Sequence, residues 1–169
     1  LREPAQAIRR TDMVIVTKCD KEIKPIEYRI MEEDMHLLAH QTVLFTRVTY
    51  NDLRPVFTEV ARTRVLRDIR REDEVLAISA SANPIPFENE IKKYSKKVTS
   101  FCFPDHYNFQ KKDFKKFAEA FDNMKSSEKL IIVTEKDAAR MSNNPAFPEE
   151  WKKSIYALPI TIAFHGKRE

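Results

Sequence analysis

Three short apolar runs, VLAIS (75–79), KVTSFCF (97–103) and KLIIVTE (129–135), are each followed by a segment of helical character. VLAIS and KLIIVTE read as buried strands and KVTSFCF as a strand, and parallel neighbours need a crossover helix between them. The helical segments are NPIPFENEIKKY (83–94), KKDFKKFAEAFDNM (111–124) and KDAARM (136–141). In the second, Phe114, Phe117, Ala118, Phe121 and Met124 recur at helical spacing and form one apolar face. Right-handed crossovers then give an α/β fold: a parallel Rossmann-like sheet flanked by helices.

The first half is less regular. REPAQAIRR reads as a short helix with Pro4 in its first turn, where the missing N–H costs nothing. MVIVTKC (13–19) reads as another strand buried on both faces. KPIEYRIMEEDMHLL follows as a helix with a stripe of Ile26, Ile30, Leu37 and Leu38. TVLFTRVTYNDLRPVF (42–57) carries turn residues in its middle and predicts a β-hairpin or two antiparallel segments. Residues 58–74 are highly charged, a loop or an exposed short helix. SIYALPITIAF (154–164) is strand-like and interrupted by Pro159.

Composition narrows the function. The chain has 169 residues, 42% hydrophobic and 33% charged, enough apolar material for a core. Its 30 basic and 26 acidic residues are interleaved, which predicts a solvated surface and no nucleic-acid partner, although the pI of about 9.0 points the other way. Cys19 and Cys102 sit in or at the end of apolar runs and read as buried thiols of a reducing compartment, without metal-ligand spacing. No apolar run is long enough to span a bilayer, and no signal peptide opens the chain. The opening residues, without an initiator methionine, read as mid-protein sequence. Gly166 is the only glycine, so a glycine-rich phosphate loop has no place in this chain.

In a parallel α/β sheet, ligands bind beyond the carboxyl ends of the strands. Four segments fall there: TKCD, SASANP, FPDHYNF and TEKDA. Asp105–His106 reads either as a base with its orienting carboxylate or as a turn in which Asp105 caps the backbone. The turn is the favoured reading, since neighbours in extended chain point to opposite sides. Glu135-Lys136-Asp137 places a lysine for a phosphate or carboxylate at a helix start, or is N-capping by Thr134 or Asp137. Asn83-Pro84 reads as an N-cap followed by the first helical residue. Thr17-Lys18-Cys19-Asp20 has the form of the base-reading segment of GTPases. His36 and His40 stand four apart on a possible helix with no third ligand, and His165 is isolated.

In this order and spacing, LREP…IRRTDMVIVTKC, VLAISASANPIPFE, FPDHYNF and LIIVTEKDAARM resemble the tetraacyldisaccharide 4′-kinases, the lipid A kinases of Gram-negative bacteria, and most of all the Bacteroidetes branch. The likeness covers most of the chain but only the C-terminal half of that family. It implies an ATP-dependent kinase acting on the 4′-hydroxyl of a tetraacylated glucosamine disaccharide 1-phosphate, at the cytoplasmic face of the inner membrane. ATP and Mg2+ would be held mainly by the other half, which carries the P-loop, with no metal ligands here.

The resemblance also implies a division of the chain. Residues 1–41 would end the P-loop domain, 42–74 form a linker hairpin and charged connection, 75–150 a small C-terminal α/β domain, and 151–169 a return strand and tail. An antiparallel two-stranded linker would draw on 42–57 and 155–164. His106 matches a histidine that assists an aspartate of the other half in activating the sugar hydroxyl. Asp105, Asn83, Glu135, Lys136 and Asp137 match further motif positions. Two departures stand out. Ala80 and Ala82 replace glycines, which reach positive φ more freely, and Tyr107 stands where many members have a second histidine. The alternative is a non-enzymatic α/β module that binds an anion or nucleotide through the same strand ends.

Overall fold

The computed structural model describes residues 3–165; the end of the tail, from Gly166, lies outside them. The chain divides into two compact units, one of residues 1–49 and 160–169, the other of residues 50–159.

The larger unit is a five-stranded sheet in the order β3-β7-β6-β4-β5. Its strands are β3 (Arg54–Pro55), β4 (Glu74–Ala80), β5 (Lys97–Phe103), β6 (Lys129–Thr134) and β7 (Ile155–Leu158). β4 is parallel to β5 and β6, and β6 to β7, while β3 lies antiparallel on β7. Between them run α2 (Ile85–Lys92), α3 (Lys111–Asp122) and α4 (Glu135–Ser142). The period-2 alternation of the strands sorts the core into two layers. Leu76, Ile78, Ile131, Val133, Ile155 and Ala157 face one side with Phe114 and Phe117 of α3 and Ala138 and Met141 of α4. Val75, Ala77, Leu130, Ile132, Tyr156 and Leu158 face the other with Phe87 and Ile91 of α2. Burial on both faces explains the unbroken apolar runs.

Several local expectations change. Residues 42–57 form no hairpin: β2 (Thr42–Tyr50) and β3 belong to different sheets. The turn residues are there, but β3 finds its partner in β7, about a hundred positions away in sequence. Within the charged 58–74 stretch, Leu66 and Ile69 flank a 3-10 turn and are buried against the α2 side of the sheet. α2 begins after Pro84, one residue later than expected, with no side-chain cap, and the Asn83 N–H is held by Ser81 Oγ at 3.3 Å.

The smaller unit has a three-stranded sheet, β1 (Met13–Val16), β2 and β8 (Ile160–Phe164), with β2 in the middle. β1 and β2 are parallel, with Met13 opposite Thr42 and Ile15 opposite Leu44. The His165 N–H bonds to the Phe45 carbonyl and the Thr49 hydroxyl to the Thr161 carbonyl. Positions thus rise on β2 as they fall on β8, an antiparallel pairing. α1 (Pro25–Asp34) sets Tyr28 edge-on to Phe45, ring centres 4.8 Å apart.

β1 is not buried on both faces: Met13 and Ile15 are half exposed. The registers put them with Val48, Ile160, Ile162 and Phe164 on the face away from Phe45, and all six are exposed. The helical stripe also fails. α1 stops at Asp34, and Ile26 and Ile30 lie on the surface. His36 has φ 47 in the turn beyond the helix, so His36 and His40 share no helical face.

Candidate functional site

The chain leaves β4 outward to β5 and then returns across it to β6, so the strand order reverses between β4 and β6. This is the topological switch point, where the carboxyl ends of the strands open a crevice. The segments SASANP, FPDHYNF and TEKDA all leave the sheet at that rim, because β4, β5 and β6 are parallel.

One buried carboxylate ties the switch point together. Asp137 is fully buried; its Oδ2 accepts the Ala80 N–H at 2.8 Å and the Thr134 hydroxyl at 2.7 Å. Thr134 caps α4 by accepting the Asp137 N–H at 3.2 Å. The Asp137 Oδ1 lies 3.8 Å from Arg140 Nη1, one turn along the same helix. Asp137 therefore faces inward, and the expectation that it touches a ligand does not fit its burial. Ala80 and Ala82 lie among residues without positive φ, so the loop after β4 follows a path alanine allows.

The loop after β5 is built differently. His106 has φ 61, a left-handed conformation costing a non-glycine residue roughly 1 kcal/mol or more. Four contacts offset that strain. Asp105 Oδ1 accepts the His106 N–H at 2.9 Å, and the Tyr107 N–H bonds to the Pro104 carbonyl at 3.2 Å. Tyr107 stacks on Phe103, ring centres 4.5 Å apart, and gives its hydroxyl to Asp113 Oδ2 at 3.0 Å. Asp113 is buried and also accepts the Gln110 N–H at 2.8 Å, closing the capping box of α3. Tyr107 thus anchors the loop to the core.

The capping reading of Asp105 is present, yet the pair also meets. The left-handed turn brings His106 Nε2 to 3.5 Å from Asp105 Oδ2, which an extended chain would not. Lys136, at the start of α4, bonds to Asp105 Oδ1. That ammonium is the largest influence and, with the His106 N–H, holds the Asp105 carboxyl below its usual range against the opposing effect of desolvation. The His106 side chain is 76% exposed, and its Nδ1 lies 3.3 Å from Arg140 Nη2. Asp105, His106, Lys136, Asp137 and Arg140 form a linked set between the loop after β5 and α4. Asn83 is exposed on the same rim. Glu135 pairs with Arg54 at the end of β3.

Sequence reading missed Arg140 and Arg54. Arg140 stands three residues after Asp137, a spacing that shares one helix face and was available as a signal. Arg54 depends on a long-range strand pairing and left no local trace. Cys102, expected inside, is exposed; its thiol donates to Glu88 Oε1 at 2.9 Å, and partial desolvation by its neighbours together with that carboxylate pushes the thiol up from its ordinary value. In the smaller unit, Thr17 to Asp20 line a cleft of about 440 Å3 with Ile23 and Ile30. Among the described residues no three His, Cys, Asp or Glu side chains converge to hold a metal ion.

The sequence profile of the family described as Tetraacyldisaccharide-1-P 4′-kinase (LpxK) matches residues 1–169. The chain belongs to the tetraacyldisaccharide 4′-kinase family. A tetraacyldisaccharide 4′-kinase of Parabacteroides distasonis is 48% identical over 169 residues, covering 100% of this chain and 46% of the relative. That of Bacteroides fragilis is 37% identical over 164 residues, covering 96% and 44%. The crystal structure of LpxK from Aquifex aeolicus in complex with ATP shares the fold with a TM-score of 0.54 at 21% identity, over 98% of this chain and 42% of that one. The chain thus spans less than half the length of these kinases. The Bacteroidetes character read from the TKC and FPDHYNF segments agrees with these relatives.

Proposed function

We propose that this chain serves as the C-terminal part of an ATP-dependent kinase that phosphorylates the 4′-hydroxyl of a tetraacyldisaccharide 1-phosphate in lipid A synthesis. The observation that carries this is His106: an exposed imidazole on a strained, well-anchored turn at the carboxyl rim of the sheet. Strain held by surrounding packing is a feature of functional positions.

Phosphoryl transfer rests on positioning and charge stabilisation more than on covalent chemistry. ATP supplies the phosphoryl group when bound. In this reading His106 is held where it supports a carboxylate of the remaining half as the sugar hydroxyl loses its proton. Lys136 fixes Asp105, and Asp105 fixes the turn that carries the ring. Asn83 and Glu135 lie on the same rim as candidate contacts to substrate or nucleotide. The described residues offer no cluster of carboxylates for magnesium, and no step of this chain runs through the metal; in this reading ATP and Mg2+ fall mainly to the other half. The exposed apolar face of the three-stranded sheet is covered by that half in the whole enzyme. The described residues contain no helix long and apolar enough to cross a membrane; we place the enzyme at the cytoplasmic membrane surface, where its acylated substrate lies.

The test compares phosphate transfer from radiolabelled ATP to the lipid disaccharide by the whole protein and by this chain alone. Transfer by the whole protein, with the chain at background, is the expected result. Transfer by the isolated chain, or none by the whole protein, would overturn the reading.

A further inference from the structure

Arg140 joins the buried interior to the exposed imidazole at the rim. Its Nη1 is buried and has no hydrogen-bond acceptor among the described residues; its nearest charge is Asp137 Oδ1 at 3.8 Å. Its Nη2 lies 3.3 Å from His106 Nδ1. Asp137 cannot move without breaking its bonds to Ala80 and Thr134. The guanidinium is therefore held at one end by a group fixed to two strands, and its other end meets the ring.

A guanidinium carries only donors and stays charged. Facing it, Nδ1 must act as acceptor, so the ring proton sits on Nε2. Nε2 is the nitrogen on the Asp105 side, 3.5 Å from Oδ2. We propose that Arg140 is a positioning residue for His106: anchored by Asp137, it donates to Nδ1 and so presents Nε2–H as a hydrogen-bond donor toward a carboxylate. The charged groups facing the ring are then Arg140 from α4, Asp105 from its own loop, and Lys136 through Asp105. The role of the ring in catalysis rests on the kinase reading; the Arg140 contact does not.

The test has two arms. In the first, long-range proton–nitrogen NMR of the 15N-labelled chain reads both His106 ring nitrogens at a pH well above the ordinary histidine range. The wild type is expected to carry its proton on Nε2, with Nδ1 displaced from the free-imidazole position. Arg140→Gln should return Nδ1 toward that position, and Arg140→Lys should fall between. A wild-type proton on Nδ1 overturns the proposal without any variant, as does an Arg140→Gln or Arg140→Lys spectrum with unmoved ring nitrogens. In the second arm, the whole enzyme carrying Arg140→Gln should lose about tenfold or more in kcat with KM for ATP unchanged, and Arg140→Lys should recover part of it. Unchanged kcat in Arg140→Gln overturns the positioning role. A wild-type enzyme inactive on the disaccharide sinks the kinase reading and leaves the NMR result to decide on Arg140.

Discussion

The carboxylate of Asp137 accepts the backbone N–H of Ala80 at 2.8 Å, which joins the ends of β4 and β6 at the point where the strand order reverses. Asp137→Ala removes this acceptor and leaves the Ala80 N–H and the inner face of Arg140 without a partner. Breaking a buried charge pair from one side costs roughly 3–5 kcal/mol. Urea unfolding should show a loss of that order for Asp137→Ala and a smaller one for Asp137→Asn. A change under about 0.5 kcal/mol would mean that the rim is not held this way.

Tyr107 offers a milder test of how the histidine loop is anchored. Tyr107→Phe keeps the stack on Phe103 and deletes only the hydroxyl bond to Asp113. Its expected effect is a small, measurable loss of unfolding free energy. Asp113→Ala, which also removes the α3 capping box, should cost more. Equal stabilities of wild type and Tyr107→Phe would argue against the anchor.

The lowered Asp105 pKa gives a signed pH dependence. A carboxyl whose folded pKa lies below its unfolded value adds stability at pH above the unfolded value, about 3.9 for aspartate. That contribution is lost as pH falls through the folded value. Carbon NMR titration should therefore place Asp105 below the ordinary aspartate range, and Lys136→Met should raise it toward that range. An Asp105 titration indifferent to Lys136→Met would remove the ion pair from the account.

Apolar side chains on an open sheet face give the smaller unit a distinct signature. Met13, Ile15, Val48, Ile160, Ile162 and Phe164 should bind a hydrophobic dye in the folded chain. Ile162→Ser with Phe164→Ser should weaken that fluorescence while leaving the unfolding midpoint nearly unchanged. Dye binding indifferent to both substitutions would place the exposed surface elsewhere.

Much of the fold was legible because burial on both faces writes itself as unbroken β-branched runs. VLAIS and KLIIVTE became the buried strands β4 and β6, KVTSFCF became β5 at the sheet edge with no residue fully buried, and the phenylalanine stripe became the buried face of α3. What was lost depends on partners distant in sequence. The YNDLRP turn carries the same residues whether its flanking strands pair locally or not. The apolar pattern of MVIVTKC says that these residues want cover and not what covers them. At the site, residue identities were visible but directions were not: Asp137 looked like a ligand contact until its burial was known. The meeting of Asp105 and His106 came from a left-handed turn that no residue nearby announces.

The central claim is that the His106 imidazole takes part in phosphoryl transfer. Steady-state kinetics of the whole enzyme carrying His106→Ala test it most directly. The account predicts a fall in kcat of about a hundredfold or more, the usual scale for losing an acid–base participant, with KM for ATP unchanged. A kcat equal to wild type would contradict it.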